Sequence, residues 1–152
     1  ETVAKLLLEK NPTIAVSESC TGGLVASKLI EYPGISEVFM EGAVTYSNEA
    51  KMKRLGVKPE TLKNYGAVSA ETALEMAEGI AKSAGTSVGL STTGVAGPGP
   101  SEGKPEGLVY VGIYINGRTF VKELHLAGKR NVIRERAAYS ALDYLRRKIL
   151  LD

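Results

Sequence analysis

The sequence is poor in histidine, cysteine and aromatic residues. Its 152 residues include one His, one Cys, two Phe and no Trp. A single Cys excludes an internal disulfide and a thiolate cluster, and a single His excludes a multi-histidine metal centre. We therefore expect no metal site built from such ligands, and we also expect no cofactor. The scarcity of Phe and Trp also argues against a base-stacking surface for nucleic acid.

Charge and hydropathy argue against two further classes of partner. Lys and Arg total 19 against 17 for Asp and Glu, so the net charge is only +2. This balance predicts neither a nucleic-acid surface nor a membrane surface. No run of 18 apolar residues is present, and the first ten residues lack a signal cleavage site. We expect a cytoplasmic protein.

Length and composition predict a single domain over residues 1–152. The sequence begins with Glu and not Met, which leaves open whether the chain is excised from a longer protein. Its oligomeric state is also open, and a homo-oligomer is one alternative. Glycine, with 17 residues and no repeat, is abundant. Such glycine is typical of tight turns and of backbone that approaches a ligand.

Helical and strand-like patterns alternate along the chain. Apolar spacing predicts helices over 2–10, 24–32, 47–55, 69–84 and 130–150. Runs of β-branched and apolar residues predict strands over 13–17, 42–46, 87–91, 108–115 and 118–126, with polar loops over 57–68 and 94–106. This order predicts an α/β fold, a three-layer α/β/α sandwich around a mixed, mostly parallel sheet with one antiparallel strand.

Three loops follow predicted parallel strands, over residues 17–23, 45–51 and 92–99. Ligands of such sheets bind beyond the carboxyl ends of the strands, so we expect these loops to meet at one edge. The first loop places hydroxyls and glycines at a helix N-terminus, which favours an anion or a developing oxyanion. On the local sequence alone, the better interpretation is that Ser17, Ser19 and Thr21 are helix caps.

A nucleophilic Ser19 needs a base. His125 lies within the last predicted strand, far along the chain from the three loops, and is expected to be a structural or surface residue. Lys51 is the alternative, because burial can lower a lysine pKa into the working range and serine–lysine pairs replace serine–histidine in some enzymes. Tyr46 either relays or holds protons between them, or is a tyrosine at the rim of the core. Cys20 is predicted to be a buried, inert thiol.

Two further features are candidates for binding a phosphate. The glycine N–H groups of the third loop are suited to cradle a phosphate or a carbonyl, unless this loop is only a connection. Arg130 and Arg134 lie four residues apart at the start of the last helix, and either hold a phosphate or form a solvated face.

Five motifs in the same chain resemble the CinA C-terminal domain family, the nicotinamide-nucleotide amidases. The resemblance runs in order from about residue 3 to residue 148, and five motifs at matching spacing make it highly specific. The motifs are Glu18-Ser-Cys-Thr-Gly-Gly23, Val44-Thr-Tyr-Ser-Asn-Glu-Ala-Lys51, Gly66-Ala-Val-Ser69, Gly94-Val-Ala-Gly-Pro98 and Gly128-Lys-Arg130.

The resemblance implies an activity and a set of residues. Family members deamidate nicotinamide mononucleotide to nicotinate mononucleotide and ammonia without a metal. The motifs imply Ser19 as nucleophile, assisted by Tyr46 and Lys51, on an anticodon-binding-domain-like fold. Some members are fused to an N-terminal molybdopterin-binding-like domain. The residues that we expect to bind substrate lie in the loops and the last helix: Thr21, Gly22, Gly23, Asn48, Thr93, Gly94, Gly97, Arg130 and Arg134.

The chain departs from the family pattern in the loop over 97–106. Pro100 stiffens this loop, and Glu106 stands where valine is usual, adding a negative charge near the expected phosphate pocket. These departures leave open an alternative function, that of a catalytically silent nucleotide-binding or regulatory domain of a longer protein. Release of ammonia from nicotinamide mononucleotide distinguishes the two functions.

Overall fold

The computed structural model describes residues 2–151 and contains one five-stranded mixed sheet. The strands lie in the order β2-β1-β3-β4-β5. In chain order they are β1 (Ile14–Glu18), β2 (Phe39–Val44), β3 (Val88–Gly94), β4 (Leu108–Ile115) and β5 (Arg118–His125). β1 pairs in parallel with β2 and β3, whereas β4 pairs antiparallel with both β3 and β5. The predicted mixed sheet with a single reversed strand, which is β4, is therefore confirmed.

Helices cover both faces of the sheet. They are α1 (Thr2–Lys10), α2 (Leu24–Ile30), α3 (Asn48–Leu55), α4 (Pro59–Tyr65), α5 (Ala70–Ala84) and α6 (Arg130–Leu151). α1, α2 and α6 pack together on one face around a large aliphatic core, while α5 packs on the other face with α3 and α4 beside it. None of these described helices is long and apolar enough to cross a membrane.

Predicted caps hold α3 and α5 in place. Ser47 Oγ accepts from the Ala50 N–H and Ser69 Oγ from the Thr72 N–H, as expected of serine at a helix start. Gly56 and Gly85 end the two helices in the left-handed conformation that glycine adopts without strain. The start of α3 is thereby fixed relative to the end of β2, which determines where Lys51 points.

Two glycines in the sheet bring α5 unusually close to it. A Cβ added at Gly89 would lie 2.0 Å from the Ala77 carbonyl oxygen, and one at Gly112 would lie 2.3 Å from that of Ala73. Any side chain at either position would therefore push α5 away from the central strands. The glycine surplus thus has a packing role that the loop-based interpretation did not include.

The structure differs from the sequence-based expectation in one additional helix and in the bounds of two strands. Residues 57–68, predicted as a loop, contain α4, which starts at Pro59 and is held to α5 because Thr61 Oγ1 donates to Glu75 Oε2 at 2.6 Å. The second strand begins earlier than predicted, at Phe39, and ends at Val44. The third strand runs on to Gly94, since pairing with β4 continues to Val109.

Candidate active site

The three predicted loops meet at one edge of the sheet, as expected. The Ser19 N–H donates to the Thr92 carbonyl at 3.0 Å, which joins the first loop to the end of β3. The Lys51 ammonium lies 3.0 Å from Ser19 Oγ, which joins the first loop to α3. Arg130, at the start of α6, donates to the Gly97 carbonyl in the third loop.

Lys51 is the most unusual side chain at this edge. It points from the first turns of α3 back under the end of β2 and is only 1% exposed. Its Nζ contacts Ser19 Oγ at 3.0 Å, the Thr45 carbonyl at 2.8 Å and the Tyr46 carbonyl at 2.9 Å. Three partners match the three hydrogen-bonding directions of an amine, so the position of Nζ is fully determined.

The nature of these partners decides what a neutral Lys51 does. The carbonyls of Thr45 and Tyr46 can only accept hydrogen bonds, so they take the two N–H groups of a neutral amine. The remaining lone pair then points at Ser19 Oγ, the one partner of the three that has a proton to donate. A neutral Lys51 is therefore positioned to accept the hydroxyl proton of Ser19.

Burial also favours the neutral form of Lys51. Loss of hydration lowers the pKa of Lys51 from its usual 10.5 to about 8, against smaller opposing effects of Cys20 and Glu102. A base with a pKa near 8 is partly deprotonated at neutral pH, whereas a solvated lysine is almost wholly charged. Lys51 is therefore suited to general-base chemistry without a histidine.

A carboxylate, and not a hydroxyl, caps the helix that follows Ser19. Glu18, buried at the end of β1, accepts from the N–H groups of Gly23 at 3.1 Å, Val25 at 3.0 Å and Ala26 at 2.9 Å. The Thr21 hydroxyl also donates to it at 2.5 Å. The amides at the N-terminus of α2 are thus already taken by a carboxylate of the chain, so they do not offer the anion site expected there, while the N–H of Thr21 before the helix stays open to an oxyanion.

The cap interpretation of the three hydroxyls is likewise wrong. Ser17 Oγ donates to the Met76 carbonyl at 3.2 Å, Thr21 to Glu18, and Ser19 Oγ contacts Lys51. Glu18 accepts from the main-chain N–H groups at the start of α2 from which the hydroxyls were expected to accept. This cap was missed because its carboxylate lies five to eight residues before the amides that it accepts from, outside the spacing of ordinary helix caps. A charged residue ending a buried strand is the signal that was available.

Few amides of the first loop remain open for a ligand. The Gly22 N–H donates to the Ser19 carbonyl at 3.1 Å, and that of Gly23 donates to Glu18. These two predicted binding residues therefore have no free main-chain donor. Within residues 2–151, the N–H groups of Cys20 and Thr21 have no hydrogen-bond acceptor, which leaves them as the donors next to Ser19 in this loop.

The other potential nucleophile and the other potential base are both inert. Burial raises the pKa of the Cys20 thiol to about 12, so Cys20 stays protonated, as predicted. His125 is exposed on β5, where its Nε2 lies 2.6 Å from Glu123 Oε2. Its predicted position as a surface strand residue is confirmed, and among residues 2–151 Lys51 is the base in contact with Ser19 Oγ.

Tyr46 contributes its carbonyl to Lys51, but its side chain points elsewhere. The ring is 63% exposed, and its hydroxyl accepts from Arg130 at 3.3 Å. Since Lys51 contacts Ser19 directly, this geometry gives the Tyr46 hydroxyl no part in their contact. The predicted proton relay through Tyr46 is therefore unnecessary.

Of the remaining predicted binding residues, some are hydrogen-bonded within the chain or lie in a strand, and others are exposed. The Arg134 guanidinium donates to the carbonyls of Cys20 at 3.0 Å and Thr21 at 3.2 Å, so it holds the first loop and not a ligand. Thr93 lies in β3 and donates to the Ala67 carbonyl at 2.7 Å, and Gly94 ends the same strand. Asn48 and Arg130 are exposed at the same edge as Ser19.

A cavity of about 230 Å³ is lined by Cys20 and Tyr46, the first of which adjoins Ser19 in sequence, whereas Ser19 and Lys51 are not among its lining residues. Cys20 and Tyr46 form one wall, the loop from Val95 to Ser101 forms another, and Arg130 lies at the mouth. This loop is fastened to the α4–α5 connection, because the Glu102 carboxylate accepts from the N–H groups of Ala67 and Val68, both at 3.1 Å. The sequence did not single out Glu102.

Comparison with known proteins places these features in a family. A model of the CinA C-terminal domain matches residues 1–149. The chain is 64% identical over 150 residues to a competence-damage inducible protein of Clostridium botulinum, and 63% identical over 151 residues to a CinA-like protein of Kosmotoga olearia. These alignments cover 98% and 99% of the chain but only 37% of either relative, so the chain spans about a third of their length.

Solved structures share the fold over almost the whole chain. A CinA superfamily protein of Klebsiella pneumoniae superposes with a TM-score of 0.96 at 31% identity, over 99% of this chain and 95% of that one. A competence/damage inducible protein of Agrobacterium tumefaciens superposes with a TM-score of 0.87 at 37% identity, over 95% and 94% of the two chains. The match extends over the sheet, its helices and the edge that carries Ser19 and Lys51, and the chain belongs to the CinA C-terminal domain family.

Proposed function

We propose that the chain hydrolyses the carboxamide of nicotinamide mononucleotide to nicotinate mononucleotide and ammonia. The 3.0 Å contact between buried Lys51 Nζ and Ser19 Oγ carries this proposal, because it pairs a nucleophile with a base of lowered pKa. The reaction class follows from that pair, whereas the substrate follows from the family resemblance. Such an enzyme would recycle pyridine nucleotide in the cytoplasm.

The first half of the reaction transfers the acyl group to Ser19. Neutral Lys51 takes the hydroxyl proton as Ser19 Oγ bonds to the carboxamide carbon. The tetrahedral intermediate collapses when its C–N bond breaks, and Lys51 returns the proton to the leaving nitrogen, so that ammonia departs. In the second half Lys51 takes a proton from water, the resulting hydroxide attacks the ester, and Ser19 regains its proton from Lys51 as nicotinate mononucleotide is released.

The developing oxyanion needs donors close to Ser19. Within the described residues, the N–H groups of Thr21 and Gly97 have no acceptor of their own, as is also true of Cys20 and Ala96 in the same two loops beside Ser19. We assign the oxyanion to the amides of Thr21 and Gly97. Loss of one such donor typically lowers kcat by about 100- to 1000-fold.

The test is direct. The purified chain is incubated with nicotinamide mononucleotide, and ammonia and nicotinate mononucleotide are followed together. Their release in equal amounts supports the amidase. If the substrate binds but no ammonia appears above the blank, the chain is the catalytically silent nucleotide-binding domain instead.

Replacing Tyr46 by Phe tests the direct contact of Lys51 with Ser19. The substitution removes the hydroxyl but keeps the main-chain carbonyl that accepts from Lys51. We expect kcat for nicotinamide mononucleotide to fall less than about tenfold, below the range usual for loss of a proton-transfer group. A loss of a thousandfold or more with an unchanged thermal midpoint would instead give the hydroxyl a direct role in catalysis.

A further inference from the structure

The loop that walls the cavity has few open main-chain donors. Between Gly97 and Ser101, two of the five residues are proline and have no N–H. The Ser101 N–H donates to the Lys104 carbonyl at 3.0 Å, and the Gly99 N–H donates to Glu106 Oε1 at 2.7 Å. In this loop the N–H groups of Ala96 and Gly97 are left without an acceptor among the described residues. The loop therefore offers a phosphate fewer main-chain donors than its glycine content suggested.

The Glu106 carboxylate accepts from the Gly99 N–H, a main-chain donor that an anionic ligand of this loop would otherwise use. Besides accepting from Gly99, its side chain covers Gly97, where an added Cβ would lie 2.7 Å from the Glu106 carboxyl carbon. Glu106 is exposed, so its carboxylate stays hydrated and can be displaced at little cost in desolvation. A phosphate bound to the Gly99 amide would have to displace the carboxylate, and a phosphate elsewhere on this loop would be repelled by its charge.

The cation at the mouth only partly offsets this charge. Arg130 lines the cavity, but its guanidinium already donates to the Gly97 carbonyl and to the Tyr46 hydroxyl. Arg134 holds the first loop, and Lys51 is buried behind Ser19. The charges next to this loop are thus the Glu106 carboxylate, which holds the amide of the cavity-lining Gly99, and the engaged Arg130 guanidinium.

We infer that Glu106 is a specificity-determining residue that weakens binding of the substrate phosphate. This inference rests on the proposed function and refines it. With Glu106 in place, the site discriminates little between nicotinamide mononucleotide and the unphosphorylated riboside. The carboxamide chemistry at Ser19 is the same for both substrates.

The experiment measures binding in a Ser19→Ala background, so that nothing is turned over. Calorimetry gives Kd for nicotinamide mononucleotide and for nicotinamide riboside, before and after Glu106→Gln and Glu106→Val. Glu106→Gln removes the charge but keeps an acceptor for Gly99, and we expect it to tighten the mononucleotide by about tenfold, the effect of removing one like charge a few ångströms away. Glu106→Val also frees the Gly99 amide and should tighten it further. The riboside Kd should not change.

Glu123→Gln on β5 makes the same change in net charge away from the cavity and should leave both Kd values unchanged. An equal gain for riboside and mononucleotide, or no gain for either, overturns the role of Glu106. If neither compound binds any of the variants, the proposed function itself fails. These outcomes are distinct, because the Ser19→Ala protein alone shows whether the site takes nicotinamide compounds.

Discussion

Replacing Ser19 by Ala should abolish the release of ammonia from nicotinamide mononucleotide. The substitution removes the only oxygen that Lys51 can deprotonate, since its two other partners are carbonyls. Without the nucleophile, no acyl-enzyme forms, and losses of about 10⁴- to 10⁶-fold in kcat are usual for such residues. Steady-state kinetics with an ammonia-coupled assay measures this loss.

Ser17 offers a matched control for this substitution. It is also a buried serine, two residues earlier on β1, but its hydroxyl donates to the Met76 carbonyl on α5. Ser17→Ala loses one neutral hydrogen bond, typically about 1 kcal/mol of stability, and should retain its kcat. A Ser19→Ala protein that turns over at the wild-type rate would show that Ser19 is not the nucleophile.

The sheet and the meeting of the loops could be predicted from the sequence because each depends on short-range patterns. Alternating strand and helix patterns determine an α/β sandwich, and parallel strands bring their following loops to one edge. The caps at Ser47 and Ser69 follow the same local logic. The helix α4 was missed because its seven residues are mostly polar, and because Thr61 is held by Glu75 on α5, which is a tertiary contact.

Details of the site depend on contacts between residues far apart in sequence. Ser19 and Lys51 were paired as candidates on chemical grounds, but their direct contact depends on how α3 is placed against β2. Two contacts were not predicted: Glu18 accepts from the Gly23 amide after it, and Glu106 accepts from the Gly99 amide before it. A carboxylate that accepts from a main-chain amide several residues away follows no fixed spacing in sequence. Arg134 has a solvated-face pattern, yet its partners are two carbonyls more than 100 residues earlier.

Replacing Lys51 by Met should abolish turnover and also change how stability depends on pH. Met fills a similar volume but cannot take a proton from Ser19, so kcat should fall by at least about 10³-fold. In the wild-type enzyme kcat/KM should rise about tenfold per pH unit up to a pKa near 8 and then level off, because only neutral Lys51 acts as a base. Lys53→Met, an exposed lysine on the same helix, should keep the wild-type rate and profile.

The same lowered pKa predicts the sign of the stability effect. Between about pH 8 and pH 10.5 the unfolded chain binds a proton at Lys51 that the folded chain does not, so the free energy of unfolding rises with pH across this window. A pKa shift of this size corresponds to about 3 kcal/mol over the whole window. Urea unfolding of the wild type and Lys51→Met at pH 7 and pH 10 measures the difference, because contributions from other titrating groups cancel between the two proteins. Curves that stay parallel from pH 7 to pH 10 would mean that Lys51 titrates as a solvated lysine, and it would then be too basic to deprotonate Ser19 at neutral pH.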